Sequence, residues 1–150
     1  MIGRIMSAAA VVLLVAGAAE KCEQAPPAKA CDTFPQKPAV DRGGKVAFIT
    51  ASTKSTCDKP PISHVVHVSL EEYRNGHWVQ AVRGGSPVRN ATCREIPPGG
   101  GKTVTCTYVY HECRPGRWRT KVLVTGTSHA RLDFSFEPPE KPETVIRSCA

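Results

Sequence analysis

Past its N-terminus this sequence has no apolar run approaching the roughly 18 residues that a membrane-crossing helix requires. Nor does any stretch repeat its apolar residues at the 3.6-residue period of an amphipathic helix. The first absence excludes stable membrane insertion of the mature chain by a helix. The second excludes helical bundles and sheets wound with crossover helices, and leaves an all-β fold. Chemistry-bearing motifs are missing too. There is no G-x-S-x-G elbow and no convincing pair of carboxylates at loop positions, so neither a serine hydrolase nor a glycosidase is indicated. Zinc spacing would need tight C-x-x-C or H-x-x-x-H pairs, and the closest histidines, His64 and His67, fall on opposite faces of a predicted strand. Gly99-Gly100-Gly101-Lys102-Thr103 shares the end of a phosphate-binding loop, but Ile96 stands where that motif needs glycine and a strand follows where it needs a helix. A flexible turn accounts for it. No enzyme, metal or cofactor is expected, and no nucleic acid partner.

What is present begins with an address. Arg4, the apolar run Ala8 to Val15 and the small residues Ala16 to Ala19 have the layout of a secretory signal peptide, so residues 1–19 are read as a cleaved leader. A lipid-anchoring reading of Cys22 fails because Glu20 and Lys21 occupy the positions where small residues are needed. Seven cysteines, at 22, 31, 57, 93, 106, 113 and 149, remain for an exported chain, where they serve as staples rather than ligands. An odd count leaves one spare. The expected bridges are Cys22 with Cys31, closing a short loop, and Cys93 with Cys106, tying neighbouring strands across the Ile96-Pro-Pro-Gly-Gly-Gly turn. A third draws on Cys57, Cys113 and Cys149. In the chain-entropy model each contributes about 3 kcal/mol. The formal charge of +7 falls by one when Arg4 leaves with the leader, a mild basicity that suits an anionic partner as readily as none.

Residues 20–44, with prolines at 26, 27, 35 and 38, are read as an extended lead-in, and 45–150 as the domain. Lys45 to Thr53 is the first strand, with Val46 and Phe48 alternating against Ala47 and Ile49 so that both faces are expected to be buried, and Pro60-Pro61 ends it. Asn75-Gly76 between His64–Tyr73 and His77–Arg83 is a two-residue type I′ hairpin signal. Its register sets Tyr73 opposite Trp78 and Glu72 opposite Val79, with Val66, Val68, Leu70, Val79 and Ala81 on the core side. A short strand, roughly Val88 to Arg94, follows. Thr103 to His111 and Arg117 to Thr125 form a central pair around a Cys-Arg-Pro-Gly turn. Val104, Cys106, Tyr108 and Tyr110 share one face of the first, and Trp118, Val122 and Val124 one face of the second. His129 to Glu137 places Ala130, Leu132, Phe134 and Phe136 inward, and Thr144 to Cys149 is a last edge strand. Seven or eight such strands, with turns at short intervals, predict an antiparallel Ig-like β-sandwich stapled by disulfides, with a closed barrel of the same strand count as the alternative.

The Ala-rich leader, the Asn-Gly hairpin ending in Trp78 and the late Cys113-x-Pro-Gly-x-Trp-Arg119 strand together resemble small exported Ig-like proteins of high-GC Gram-positive bacteria. The resemblance covers about the last 90 residues. It implies a secreted domain and assigns no activity.

Two surface features carry a binding hypothesis. Arg117, Arg119 and Lys121 form a basic stripe, with Arg114 at its turn and Arg131 on the adjoining strand, which would meet an anionic cell-wall polymer or glycan. Tyr73 and Trp78 form an aromatic pair that would stack on sugar rings or anchor an extracellular protein, where the simpler role is to stabilise the hairpin. Asn90-Ala91-Thr92 fits a glycosylation acceptor. The rival function is a secreted protease inhibitor or toxin-like effector acting through a disulfide-pinned loop, either Arg94 to Thr105 or Cys113 to Gly116.

Overall fold

A two-residue alternation of apolar and polar side chains gives each strand one oily and one wet face, and the chain closes by setting the oily faces of two sheets against each other. The computed structural model describes residues 31–83, 86–87, 91–110 and 112–150. Its strands are β1 (Asp32–Pro35), β2 (Ala39–Asp41), β3 (Phe48–Thr56), β4 (Ser63–Arg74), β5 (His77–Gln80), β6 (Val82–Arg83), β7 (Ser86–Pro87), β8 (Ala91–Cys93), β9 (Thr103–Tyr110), β10 (Gly116–Thr127), β11 (Asp133–Phe136) and β12 (Glu143–Ile146). Every pairing among them is antiparallel. No helix occurs among the described residues, and none is long and apolar enough to cross a membrane.

In the first sheet β3 is central, with β1 and β2 along one edge and β9 along the other. In the second, β4 and β10 pair over ten positions, from Ser63 with Thr127 to Glu72 with Trp118. The outer edge of β4 is shared by β8 and β5, and that of β10 by β12 and β11. β6 and β7 pair with each other. The inward residues of both sheets form one core: Ile49 and Ala51 of β3, Tyr108 and Tyr110 of β9, Val66, Val68 and Leu70 of β4, and Trp118, Val122 and Val124 of β10. Trp118 is fully buried, its ring 5.8 Å from that of Tyr110. The hairpin is as expected: Asn75 and Gly76 both have positive φ (49° and 85°), the backbone a type I′ turn requires, and the Tyr73–Trp78 and Glu72–Val79 register follows. Gly126 is needed for space. A Cβ there would lie 2.2 Å from the Ser63 carbonyl oxygen and 2.6 Å from the Phe134 ring.

Several expectations are corrected. Thr103 to Tyr110 and Gly116 to Thr127 are not partners: β9 belongs to the first sheet and β10 to the second, so the Cys-Arg-Pro-Gly segment is a crossover between sheets. The sheet begins at Asp32, ahead of Lys45, because residues of the proline-rich lead-in pair along β3. Cys31 joins Cys57 rather than Cys22. The register explains this, since Asp32 opposes Thr56 and the next pair outward is Cys31 with Cys57, their Cα atoms 4.3 Å apart. Cys113 joins Cys149, so no bridge forms between Cys57 and Cys113. Cys93 joins Cys106 as expected, but the strands it ties, β8 and β9, lie in different sheets. Six cysteines are thus spent among themselves, and Cys22, outside the described residues, is the odd one by count. Leu132 is 54 % exposed, because the chain turns from Ser128 to Arg131 and the strand starts only at Asp133. Val46 is likewise exposed, in the bend before β3. The edges are made of short segments, so the described residues hold twelve strands where seven or eight were expected. The leader and Asn90 lie outside the described residues.

Candidate functional site

The outward side chains of β4, β10 and their flanking strands form a grid on the wet face of the second sheet. Register sets its rows. Thr92 of β8, His67 and Leu123 share one row, Ser69 and Lys121 the next, and Gln80, Glu71, Arg119 and Glu143 a third. Trp78 and Tyr73 lie side by side in the last, next to Arg117. The aromatic pair and the basic stripe, separate features in the sequence, therefore occupy one surface.

At the level of Ser69 and Lys121 the sheet is only two strands wide. On one side β8 ends its pairing at Val68 and β5 begins at Glu71; on the other β12 ends at Arg119 and β11 begins at Val124. Interruption of both edges at one level opens a groove of ≈ 300 Å³, lined by His67, Ser69, Glu71, Gln80, Lys121, Leu123 and Glu137. Ser69 donates its hydroxyl proton to the Lys121 carbonyl (3.2 Å), which leaves its lone pairs to accept. His67 Nδ1 lies 3.1 Å from Thr92 Oγ1. Leu123, itself exposed, is the aliphatic side chain of the lining.

The stripe is not a free cationic surface. Arg117 pairs with Glu143 (2.9 Å), Arg119 with Glu71 (2.5 Å) and Lys121 with Glu137 (3.6 Å), and Lys141 reaches the second oxygen of Glu137 at 3.7 Å. Arg131 is not on the stripe; it sits in the turn before β11 with φ 61°. Arg114 faces the other way. Its guanidinium donates to Glu72 Oε2 and Tyr110 Oη (both 3.1 Å) and lies 5.9 and 5.8 Å from the Tyr110 and Trp118 rings. Glu72, on the core face of β4, also accepts from Arg74 Nε at 2.7 Å, and Trp118 Nε1 donates to the Arg114 carbonyl at 3.0 Å. This cluster closes one end of the core. Burial pushes the Tyr110 hydroxyl up in pKa, and that of Tyr108 up to about 12.

Tyr73 and Trp78 pack edge to face with centroids 5.2 Å apart, which is the hairpin-stabilising arrangement. They are also plated by guanidinium groups, Arg117 over Tyr73 at 4.5 Å and Arg119 over Trp78 at 4.4 Å. They form one end of the face rather than a bare stacking platform. The residues that sequence reasoning missed are His67, Ser69, Glu71, Gln80, Leu123, Glu137, Lys141 and Glu143. The Asn-Gly register alone places Gln80 beside Glu71; the others depend on the pairing of β4, β11 and β12 with β10.

No protein-family model and no curated protein matches the chain. Among solved structures it is similar to Spo0M, a sporulation control protein from Bacillus subtilis, at 7% sequence identity and a TM-score of 0.33, over 80% of this chain and 50% of that one.

Proposed function

We propose that the chain is an extracellular, non-enzymatic binding module, of immunoglobulin-like architecture, whose outer face on the second sheet holds a saccharide chain in the groove at Ser69 and Lys121. Export is supported by the leader-like residues 1–19 and by three disulfides, which persist in oxidising compartments. An Ig-like arrangement is supported by two antiparallel sheets stapled together by Cys93 and Cys106. The observation that carries the ligand class is the lining of the groove. Sugar rings present apolar C–H faces and a dense set of hydroxyls that both donate and accept. Leu123 matches the first, and the Gln80 amide, the Glu71 and Glu137 carboxylates, Lys121 and the Ser69 lone pairs match the second.

Binding rather than turnover is supported by how these groups are engaged. Both groove carboxylates already face a cation, His67 is directed at Thr92, and Ser69 donates to a backbone carbonyl instead of to a base. The inhibitor reading is less well supported, since Arg114 of the Cys113 to Gly116 loop is directed inward and Gly99 of the other loop packs on Asp58 and Pro60.

The test is calorimetric titration with fragments of cell-wall polysaccharide. Ser69→Trp, which fills the groove, weakens binding by ~10-fold or more, about 1.4 kcal/mol, with secondary structure unchanged by circular dichroism. Gln80→Ala, which removes a donor and an acceptor without adding bulk, weakens it to a lesser degree. Wild-type affinity in both variants refutes the assignment of the groove.

A further inference from the structure

The two ends of the groove differ. At one, Arg119 and Glu71 form a close pair at 2.5 Å, with side chains only 19 % and 14 % exposed, and the guanidinium is held further by the Trp78 ring. That end is electrically closed. At the other, Lys121 and Lys141 share the single carboxylate of Glu137, one ammonium at each oxygen, at 3.6 and 3.7 Å. These separations exceed hydrogen-bond length, and all three side chains are more than a third exposed, so both contacts are loose and water-screened. One positive charge is left over at that end.

We propose that Lys121 and Lys141 form the acidic-sugar subsite of the groove: the ligand is a uronic-acid-containing saccharide, one carboxylate of which docks between the two ammonium groups and supplies the anion that Glu137 alone does not. This rests on the groove reading above and adds to it both a ligand class and a position, with the acidic sugar at Lys121 and the neighbouring sugar over Ser69 toward Gln80. A lysine pair suits this role because each ammonium is a compact point charge on a flexible stem, able to shift from Glu137 to share a second carboxylate without breaking a bidentate geometry. Arg119 cannot do so without leaving Glu71 and Trp78.

The experiment compares matched ligands, oligosaccharides of galacturonate and of glucuronate and their carboxyl-reduced counterparts, titrated into the wild type, Lys121→Gln with Lys141→Gln, and Ser69→Trp. The expected result is a preference of about tenfold for an acidic over the matching reduced ligand in the wild type, which shrinks as salt is raised. In the lysine double variant that preference is lost, and the acidic and reduced ligands bind alike, no tighter than the reduced ligand binds the wild type. Ser69→Trp weakens both. Equal wild-type binding of acidic and reduced forms, or a preference that survives in the lysine double variant, overturns the acidic subsite and leaves the groove standing. Binding of none of the ligands, or binding untouched by Ser69→Trp, overturns the groove reading and this proposal with it.

Discussion

Removing the Glu72 carboxylate is the sharpest probe of how the core is closed. Glu72 Oε2 accepts from Arg74 Nε at 2.7 Å and from Arg114 Nη2 at 3.1 Å, and the side chain is only 10 % exposed. In Glu72→Ala the Arg114 guanidinium keeps its place beside Tyr110 and Trp118 but loses its anion. Breaking a fully buried pair from one side costs about 3–5 kcal/mol. The Arg114 and Arg74 side chains are 31 % and 39 % exposed, so water returns part of that, and a loss of ~2–3 kcal/mol is expected. Urea unfolding followed by tryptophan fluorescence reads it directly, because Trp118 is buried at the site and donates to the Arg114 carbonyl. The midpoint falls and the slope stays constant. Arg114→Met alone is also destabilising, and the double variant Glu72→Ala, Arg114→Met loses less than the sum of the singles by about 1–2 kcal/mol. A loss below about 0.5 kcal/mol in Glu72→Ala, or strict additivity, would refute the view that this pair closes the core end.

Two further outcomes are expected. Gly126→Ala forces its new methyl against the Ser63 carbonyl and the Phe134 ring, at 2.2 and 2.6 Å, so β10 must part from β4 or β11. A loss of ~2 kcal/mol or more in thermal or urea unfolding is expected, and a wild-type midpoint would contradict the close approach. His64, 1 % exposed, has its pKa pushed below the ordinary 6.5 by burial, with the Glu95 backbone opposing in part. The unfolded chain therefore binds the proton more readily. The contribution is fully present above about pH 6.5 and is lost as pH falls through the lower, folded value. Melting temperature should decline on acidification through this window, and the His64→Leu variant should flatten that decline; an unchanged pH profile in His64→Leu would count against it.

How much was legible before the structure depended on how local each feature is. The Asn75-Gly76 hairpin, with Tyr73 facing Trp78, is settled by two adjacent residues that accept positive φ and by the pleat on either side. The inward set Cys106, Tyr108, Tyr110, Trp118, Val122 and Val124 follows from the two-residue period. Leu132 and Ala130 escaped the same rule because a turn at Ser128 to Arg131 cut the strand short, and nothing in the alternation marks where a strand begins. Cys31 departs from expectation for a related reason. Nearness in sequence favoured Cys22, whereas nearness in space follows from β1 pairing with β3.

The candidate site divides along the same line. Arg117, Arg119 and Lys121 are visible as outward cations in the sequence, and so are Tyr73 and Trp78 as neighbours. That Glu71, Glu137 and Glu143 neutralise the cations, and that the aromatic rings are covered by two of them, is not visible. Arg119 and Glu71 are 48 residues apart and meet only because β4 and β10 pair in one particular register. The groove is further removed still, since it arises where four flanking strands happen to stop at one level.

By itself the sequence determined the all-β class, the Asn-Gly turn and which way each side chain of a long strand points, because those depend on backbone sterics and a period of two within a few residues. Which strands pair, which cysteines meet and which charges are left over was decided only by tertiary structure. Those outcomes follow from burying the oily faces of two sheets together, a free-energy gain shared by the whole chain and written in no single segment.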